Sequence, residues 1–416
     1  MATEKLAIEG GPRAVTTPRS PQRRFGQTEH EALLRALNNE NLFRYLREDE
    51  SQVRAFEKRF AELMGAPHCL AVSSGTAALI CALVGLGIGP GDEVIIPAYT
   101  YISSAAAVLN VRAVPVIAEV DDTLTLDPAD VERKITPHTR AIMPVHMRGI
   151  PSQMDELLRI ARERDLRVIE DTAQACGGSY HGRRLGTLGD VGCFSLQHYK
   201  IITTGEGGAV VAADPTVIGR ATMYHDAGRP YWDGYDGEVI PGVNYRMSEL
   251  AGAIGRAQVE QLDPILERTR RAKRRILAGI GELPEVQLQR VPDPEGECGI
   301  VLVLFLPNGD EAKRFSEALK AEGCAAGTMY SGEFPDRHIY AYWDHILEKK
   351  GYSERDNPWT HPYYKGSVEY SKDMCPQTLD YLGRAVALAI PDHLSDCEAD
   401  ERAAAIRKVA EAYYGG

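Results

Sequence analysis

The chain has 416 residues, 44% hydrophobic and 25% charged, which is the balance of a globular protein and excludes a fibre or a disordered chain. A formal net charge of −12 argues against a nucleic-acid backbone as partner, since such binders present a basic face. The apolar runs, such as Ala77–Gly89, are too short and too broken by glycine to cross a bilayer. The eight cysteines form no C-x-x-C pair and read as reduced and non-metallic. The first residues lack the pattern of a secretory signal, so the expected location is the cytoplasm.

Residues 1–30 read as an N-terminal arm. From about Ala66 to Val211, β-rich runs alternate with helical periods: "CLAVS", "EVIIP", "AVPVIAEV", "RAIMPV", "LRVIED", "VGCFSL" and "GAVVAA". Alternation of this kind means parallel pairing and a sheet covered on both faces, an α/β domain over about 31–250. Between the strands, Asp127 before Pro128 is an N-cap followed by proline at the first helical position. One long helix is expected from about 248 to 281, capped by Ser248, joining the first domain to a smaller α+β domain over 251–416. That second part carries "EVQLQRV", "CGIVLVLFL", a helix over 309–323, "MYSGEF" and an irregular aromatic stretch over 340–370. Its last helix opens on Ser395, with Glu398 completing a capping box. The basic run Glu267–Arg275 has helical spacing and reads as a solvated helix face.

Three features carry chemistry. In "SSGTAAL", Ser73 to Leu79, a strand runs through Ser-Ser-Gly-Thr directly into a helix, so free amides and the positive end of the helix dipole meet at one point. That makes either an anion seat at Ser74, Gly75 and Thr76 or an ordinary cap. In "IEDTAQA", Asp171 closes a strand and so stands at the carboxyl end of the sheet, where open α/β folds bind ligands; Gln174 projects near it. In "VGCFSLQHYKIITTGEGG", Lys200 follows the strand that bears Ser195. A lysine in a partly dry pocket sheds its proton more easily and can condense with a carbonyl. The "GEGG" after it leads into a strand and not a helix, which sets aside a dinucleotide fingerprint; its glycines let the backbone turn tightly beside the lysine. An anion seat, a carboxylate at a strand end and a lysine after a later strand are what pyridoxal phosphate requires.

Together with "GDEVIIPAYTY", "PVH" with Met147 and Gly149 after it, and "GVNYRMSEL", these motifs in this order resemble the DegT/DnrJ/EryC1/StrS aminotransferases, from about residue 30 to the C-terminus. The resemblance implies the fold of type I pyridoxal-phosphate enzymes, a large domain with a mostly parallel seven-stranded sheet and a smaller C-terminal domain. It further implies that Lys200 holds the cofactor and moves the proton, and that Asp171 keeps the ring nitrogen protonated. Gln174 would lie by the phenolic oxygen, Tyr101 would stack on the ring, and Gly75, Thr76 and Ser195 would hold the phosphate, with Ser74 also among the cofactor-binding residues. Asn244 would reach the phosphate of a second subunit in a homodimer with shared sites.

The implied reaction moves nitrogen from glutamate or glutamine to a keto sugar, sugar nucleotide or keto cyclitol, and no metal is expected. Relatives with histidine in place of the lysine remove oxygen instead; Lys200 points to transamination. Alternatives are an acceptor of the oxidised octulosonate type, a cofactor-binding regulator without turnover, or a lyase on the same fold. His146 stays open between a core histidine and a ligand contact. Where many sugar-nucleotide members have leucine and tyrosine after "PVH", this chain has Met147 and Arg148, whose cation either meets an anionic substrate or is solvated.

Overall fold

A computed structural model describes residues 4–18, 24–45, 47–228, 239–283, 285–330 and 335–415. Parts of the expected arm, and the "SGEF" of "MYSGEF", lie outside them. After helices α1 (Gln27–Asn38) and α2 (Gln52–Met64) the chain alternates: β1 (His68–Val72), α3 (Gly75–Gly85), β2 (Glu93–Pro97), α4 (Ser103–Asn110), β3 (Val114–Ala118), α5 (Pro128–Lys134), β4 (Thr139–Ile142), α6 (Met154–Arg164) and β5 (Arg167–Asp171). A small hairpin follows, β6 (Ser179–Tyr180) with β7 (Arg183–Arg184), and then β8 (Val191–Ser195), β9 (Gly208–Ala212) and α7 (Pro215–His225).

The main sheet has seven strands in the order β1-β9-β8-β5-β4-β2-β3, and each of the seven expected runs supplies one of them. Strands β3, β2, β4, β5 and β8 pair in parallel. Strand β9 runs antiparallel to both β8 and β1. A parallel return needs a crossover long enough for a helix, and none is formed between β8 and β9. That short return is the segment that carries Lys200. Strands β2, β3, β8 and β9 are buried along their whole length, as a sheet covered on both faces requires.

The expected helix over 248–281 is instead two, α8 (Glu249–Val259) and α9 (Leu262–Ile280). Pro264 is the reason: it lacks an N–H, and its ring would meet the carbonyl of Glu260 in a continuous helix, so it is accommodated only in the first turn of a new one. Ser248 does cap α8, its Oγ accepting from Ala251 N at 3.2 Å. The face of α9 read as solvated also differs. Lys273 is buried and paired with Glu297, while Arg275 and Arg268 pair with Asp400 and Asp392.

The remaining elements are β10 (Gln287–Leu288), β11 (Val301–Phe305), α10 (Gly309–Ala321), β12 (Gly327–Thr328), the short α11 (Asp344–Leu347), α12 (Pro376–Gly383), β13 (Ala385–Ala389) and α13 (Asp396–Tyr414). A second, antiparallel sheet has the order β10-β11-β13-β12, and Ser395 and Glu398 close their capping box on α13. Residues 335–375 do not stay with this sheet. They lie along β2 and β3: Thr100 N donates to His338 O at 2.9 Å, Tyr364 Oη to Glu93 Oε1 at 2.7 Å and Tyr370 Oη to Pro115 O at 2.5 Å. Among the described residues no helix is long and apolar enough to cross a membrane.

The arm is anchored by one buried carboxylate. Glu322 accepts from Ala7 N at 2.7 Å, Ala14 N at 2.9 Å and Lys408 Nζ at 3.1 Å. Glu322→Ala leaves the buried ammonium of Lys408 uncompensated, so a loss of about 3 kcal/mol is expected. It should be read as a lower urea midpoint and faster proteolysis in residues 4–18; an unchanged midpoint would show that the pair contributes no net stability.

Candidate active site

The carboxyl ends of the parallel strands open into a cleft of about 1260 Å³. Its walls come from the start of α3, the end of β5, the β8–β9 connection, the 335–339 stretch and the residues after β13. Ser74, Gly75, Thr76, Tyr101, Asp171, Gln174, Ser195 and Lys200 all line it. Asn244 is exposed and lies outside the cleft, its Oδ1 accepting from Arg246 N at 3.3 Å.

Ser74 caps α3, with its Oγ accepting from Ala77 N at 3.1 Å. The side chain is thereby committed to the helix, while the first amides of α3 have no intrahelical partner and mark the positive end of its dipole. Thr76 Oγ1 donates to Ser103 Oγ at 2.9 Å. Gly75 admits no side chain, because a Cβ there would stand 2.7 Å from Ser195 Cβ. The glycines after Lys200 follow the same logic. A Cβ on Gly208 would meet Ser74 O at 2.4 Å, and one on Gly207 would meet Thr204 Oγ1 at 2.4 Å. Gly205 takes a φ of 86°, in the left-handed region. The run therefore lets β9 pass directly beneath the cap of α3.

Asp171 is 5% exposed. Its Oδ2 accepts from Ser104 Oγ at 2.9 Å and its Oδ1 from Ala173 N at 3.1 Å. Burial pushes its carboxyl above the ordinary carboxylate value, while these two donors and the charge of Lys200 oppose the rise. Burial likewise pushes the Lys200 ammonium below its ordinary value, and Asp171 opposes that. Each group is thus drawn toward its neutral form by the dry cleft and back toward its ion by the other. The lysine's backbone is pinned as well: Lys200 N donates to Gln197 O at 2.9 Å, and Lys200 O accepts from Arg24 Nη1 at 2.7 Å.

His146, left open by the sequence, is a core histidine. It is fully buried and absent from the cleft wall. Ser152 N donates to its Nδ1 at 3.0 Å, which places the proton on Nε2, and Nε2 donates to Glu170 Oε2 at 3.0 Å. Arg148 is a wall residue. Its backbone N donates to Gln174 Oε1 at 3.1 Å and its Nε to Tyr99 Oη at 2.5 Å.

Several residues in or behind the wall escape sequence reasoning. Ser104 reads as one of two serines opening α4, yet its hydroxyl serves Asp171. His338 lies with its ring 5.2 Å from that of Tyr101, and its Nδ1 donates to Asp336 Oδ1 at 2.7 Å. Tyr101 itself is 42% exposed. His338, Arg268 and Asp392 come from far along the chain, and no local signal connects them with "IEDTAQA".

The DegT/DnrJ/EryC1/StrS aminotransferase family matches residues 26–354. The chain is 46% identical over 213 residues to a GDP-perosamine synthase of Caulobacter vibrioides, a match covering 50% of this chain and 56% of that protein. It is 38% identical over 301 residues to an L-glutamine:2-deoxy-scyllo-inosose aminotransferase of Streptomyces kanamyceticus, covering 68% of this chain and 70% of that one. The crystal structure of a 3-amino-5-hydroxybenzoic acid synthase superimposes with a TM-score of 0.79 at 30% identity, covering 95% of this chain and 99% of that one.

The Asp171 carboxyl has a pH signature. Its folded pKa lies above the unfolded one, so the native chain takes up this proton first as pH falls. Any stability linked to the group is greatest below the ordinary value of 3.8 and is lost as pH rises through the raised value. In the cofactor-free protein, Asp171→Asn is therefore expected to melt at or above wild type at neutral pH, with the gap closing as pH falls toward the ordinary carboxylate range. A variant that melts lower throughout would mean that the charge is stabilising in the empty cleft.

Proposed function

The chain belongs to the DegT/DnrJ/EryC1/StrS aminotransferase family, and from that membership we propose that it is a pyridoxal 5′-phosphate-dependent aminotransferase carrying nitrogen from glutamate or glutamine to a keto sugar, sugar nucleotide or keto cyclitol. One observation carries this reading: the start of α3, the Asp171 carboxyl and the Lys200 amine meet in one cleft. It takes further support from relatives named for glutamine-dependent amino transfer to a cyclitol ketone and for perosamine synthesis.

The residues fit the cofactor. The amides opening α3 suit a phosphate, with Ser195 beside Gly75 to complete the seat. Asp171 is a buried acid that a protonated ring nitrogen would hold as its ion. Gln174 gives its Oε1 to Arg148 N, which leaves its Nε2 to donate to the phenolic oxygen, and Tyr101 offers a ring face. When bound, the cofactor supplies an aldehyde carbon that can take up nitrogen and a ring that withdraws electrons. Lys200 Nζ, whose ammonium burial pushes below its ordinary value, would be the amine that holds the cofactor and would serve as base and then acid at the reacting carbon in both half-reactions.

A homodimer completes this reading. Asn244 is exposed outside its own cleft, as are Phe43 at 46% and Val243 at 38% exposure, while Tyr199, 80% exposed, stands at the cleft wall. We assign these residues to a subunit contact through which Asn244 reaches the partner's phosphate seat. The cytoplasm is the assigned compartment.

Lys200→Ala is expected to remove the visible absorbance of the bound cofactor and to lower turnover by at least about a thousandfold. Full activity in that variant would refute the assignment. A wild-type protein that takes up the cofactor but never accepts nitrogen from glutamate or glutamine would be a binding protein and not a transaminase.

A further inference from the structure

Arg148 occupies a position that a side chain rarely takes. Its φ of 53° and ψ of 30° are left-handed, a conformation that a residue with a Cβ adopts only when its surroundings impose it. Both flanks do so. Arg148 N donates to Gln174 Oε1, and the next residue, Gly149, is left-handed at φ 81° and so tightly packed that a Cβ would stand 2.8 Å from Cys298 Cβ. The loop is clamped, and Arg148 forms part of the cleft wall.

Most of that guanidinium is unspent. Among the described residues its single side-chain hydrogen bond is Nε to the hydroxyl of Tyr99, itself fully buried, with the guanidinium carbon 5.9 Å from the ring. No carboxylate among them pairs with it within ion-pair distance. Asp336 acts on it from farther away and is engaged by His338, accepting from its backbone N at 2.9 Å and its Nδ1 at 2.7 Å. The two Nη groups keep four N–H donors in a planar fork, on a cation held in place beside a substrate-sized cavity. That is the donor set which matches the two oxygens of a carboxylate, and its orientation by Tyr99 removes much of the entropy an arginine loses on binding.

We propose that Arg148 is a specificity-determining residue that receives a carboxylate of a substrate in this cleft. The inference rests on the aminotransferase reading, because the residue shares a wall with Lys200. The carboxylate has two sources, the amino-acid donor or an acid group on the acceptor, and two arms of one experiment separate them. Holoenzyme is prepared as wild type, Arg148→Gln, Arg148→Lys and Tyr99→Phe; the last keeps the cation and removes only the hydroxyl that orients it. In the first arm, half-saturation by L-glutamate is read from the visible spectrum of the cofactor. In the second, calorimetry compares quinate with scyllo-inositol, which are polyhydroxylated rings with and without a carboxylate.

The expected result is that Arg148→Gln weakens L-glutamate by about tenfold or more, which identifies the donor, or erases a wild-type preference for quinate of similar size, which identifies the acceptor. Arg148→Lys should restore part of the effect, since it keeps the charge without the fork. Should Arg148→Gln fail to take up the cofactor, the Arg148→Lys measurement decides in its place. A variant with normal cofactor uptake whose glutamate half-saturation and quinate-to-inositol ratio both stay within about twofold of wild type would overturn the proposal. Failure of wild type to change spectrum with any donor defeats the aminotransferase reading instead, and the quinate arm still scores Arg148 on its own.

Discussion

Strand β5 ends on two acids, and the sheet's two-residue period sends them to opposite faces. Glu170 points into the interior, where it is fully paired: Leu188 N and Gly189 N donate to Oε1 at 2.7 Å each, Gly186 N to Oε2 at 2.7 Å, and His146 Nε2 also to Oε2. With its donors all supplied, this carboxylate welds the turn ahead of β8 to β5. Asp171, one residue on, is buried almost as deeply with two neutral donors and the amine of Lys200, whose pKa burial pushes down. Neighbouring residues of the same chemistry thus take opposite parts, one a structural rivet and the other an acid short of counter-charge. A protein tolerates such a deficit where binding supplies what is missing.

The opposition of Asp171 and Lys200 depends on topology more than on either residue. Parallel strands β4 and β5 deliver His146 and Asp171 to the same end of the sheet, α4 brings Ser104 above them, and the antiparallel reversal into β9 carries Lys200 back over that end. Were β9 parallel, a crossover helix would stand where the lysine loop is. Glycines 207 and 208 are the local condition for this reversal, since a Cβ on either would stand 2.4 Å from a neighbouring oxygen. The steric demand at Gly75 comes from the same crowding, with Ser195 on the other side. The opening of α3 and a lysine loop packed this closely form one unit, so a backbone shift in either moves the other.

Much of this could be read from the residues alone, and the reasons are local. Asp127 and Ser395 cap their helices because a short polar side chain, a following proline and a glutamate three residues on act within one turn. The seven strands show as apolar runs because a sheet covered on both faces leaves few polar positions. What was missed has non-local causes, with one exception: Pro264 breaks the helix after Glu260, and the proline was there to be read. The aromatic stretch after residue 340 has no period of its own because its tyrosines seek particular partners, such as Glu93 and the Pro115 carbonyl, more than 250 positions earlier in the chain. The pairing of His146 with Glu170 spans only 24 residues, yet it rests on strand order, which no single motif states.

The break at Glu260 also connects the parts that must stay in register. Just before it, Gln258 is buried at 4% exposure. Its Oε1 accepts from Thr203 N at 3.2 Å, inside the lysine loop, and its Nε2 donates to Arg24 O at 3.1 Å and Glu29 Oε1 at 2.9 Å. Arg24 in turn reaches Lys200 O. Just after the break, α9 supplies Ile265, Arg268 and Thr269 to the cleft wall, and Arg268 holds Asp392 beyond β13. One amide side chain thus ties the lysine loop, the N-terminal segment and α8 together at the point where the chain turns into the helix serving the second sheet. A continuous helix through Pro264 would carry that wall along the axis of α8. The proline-imposed restart makes α9 a separate helix, and the cleft is lined by residues from both sheets while the lysine stays with the first.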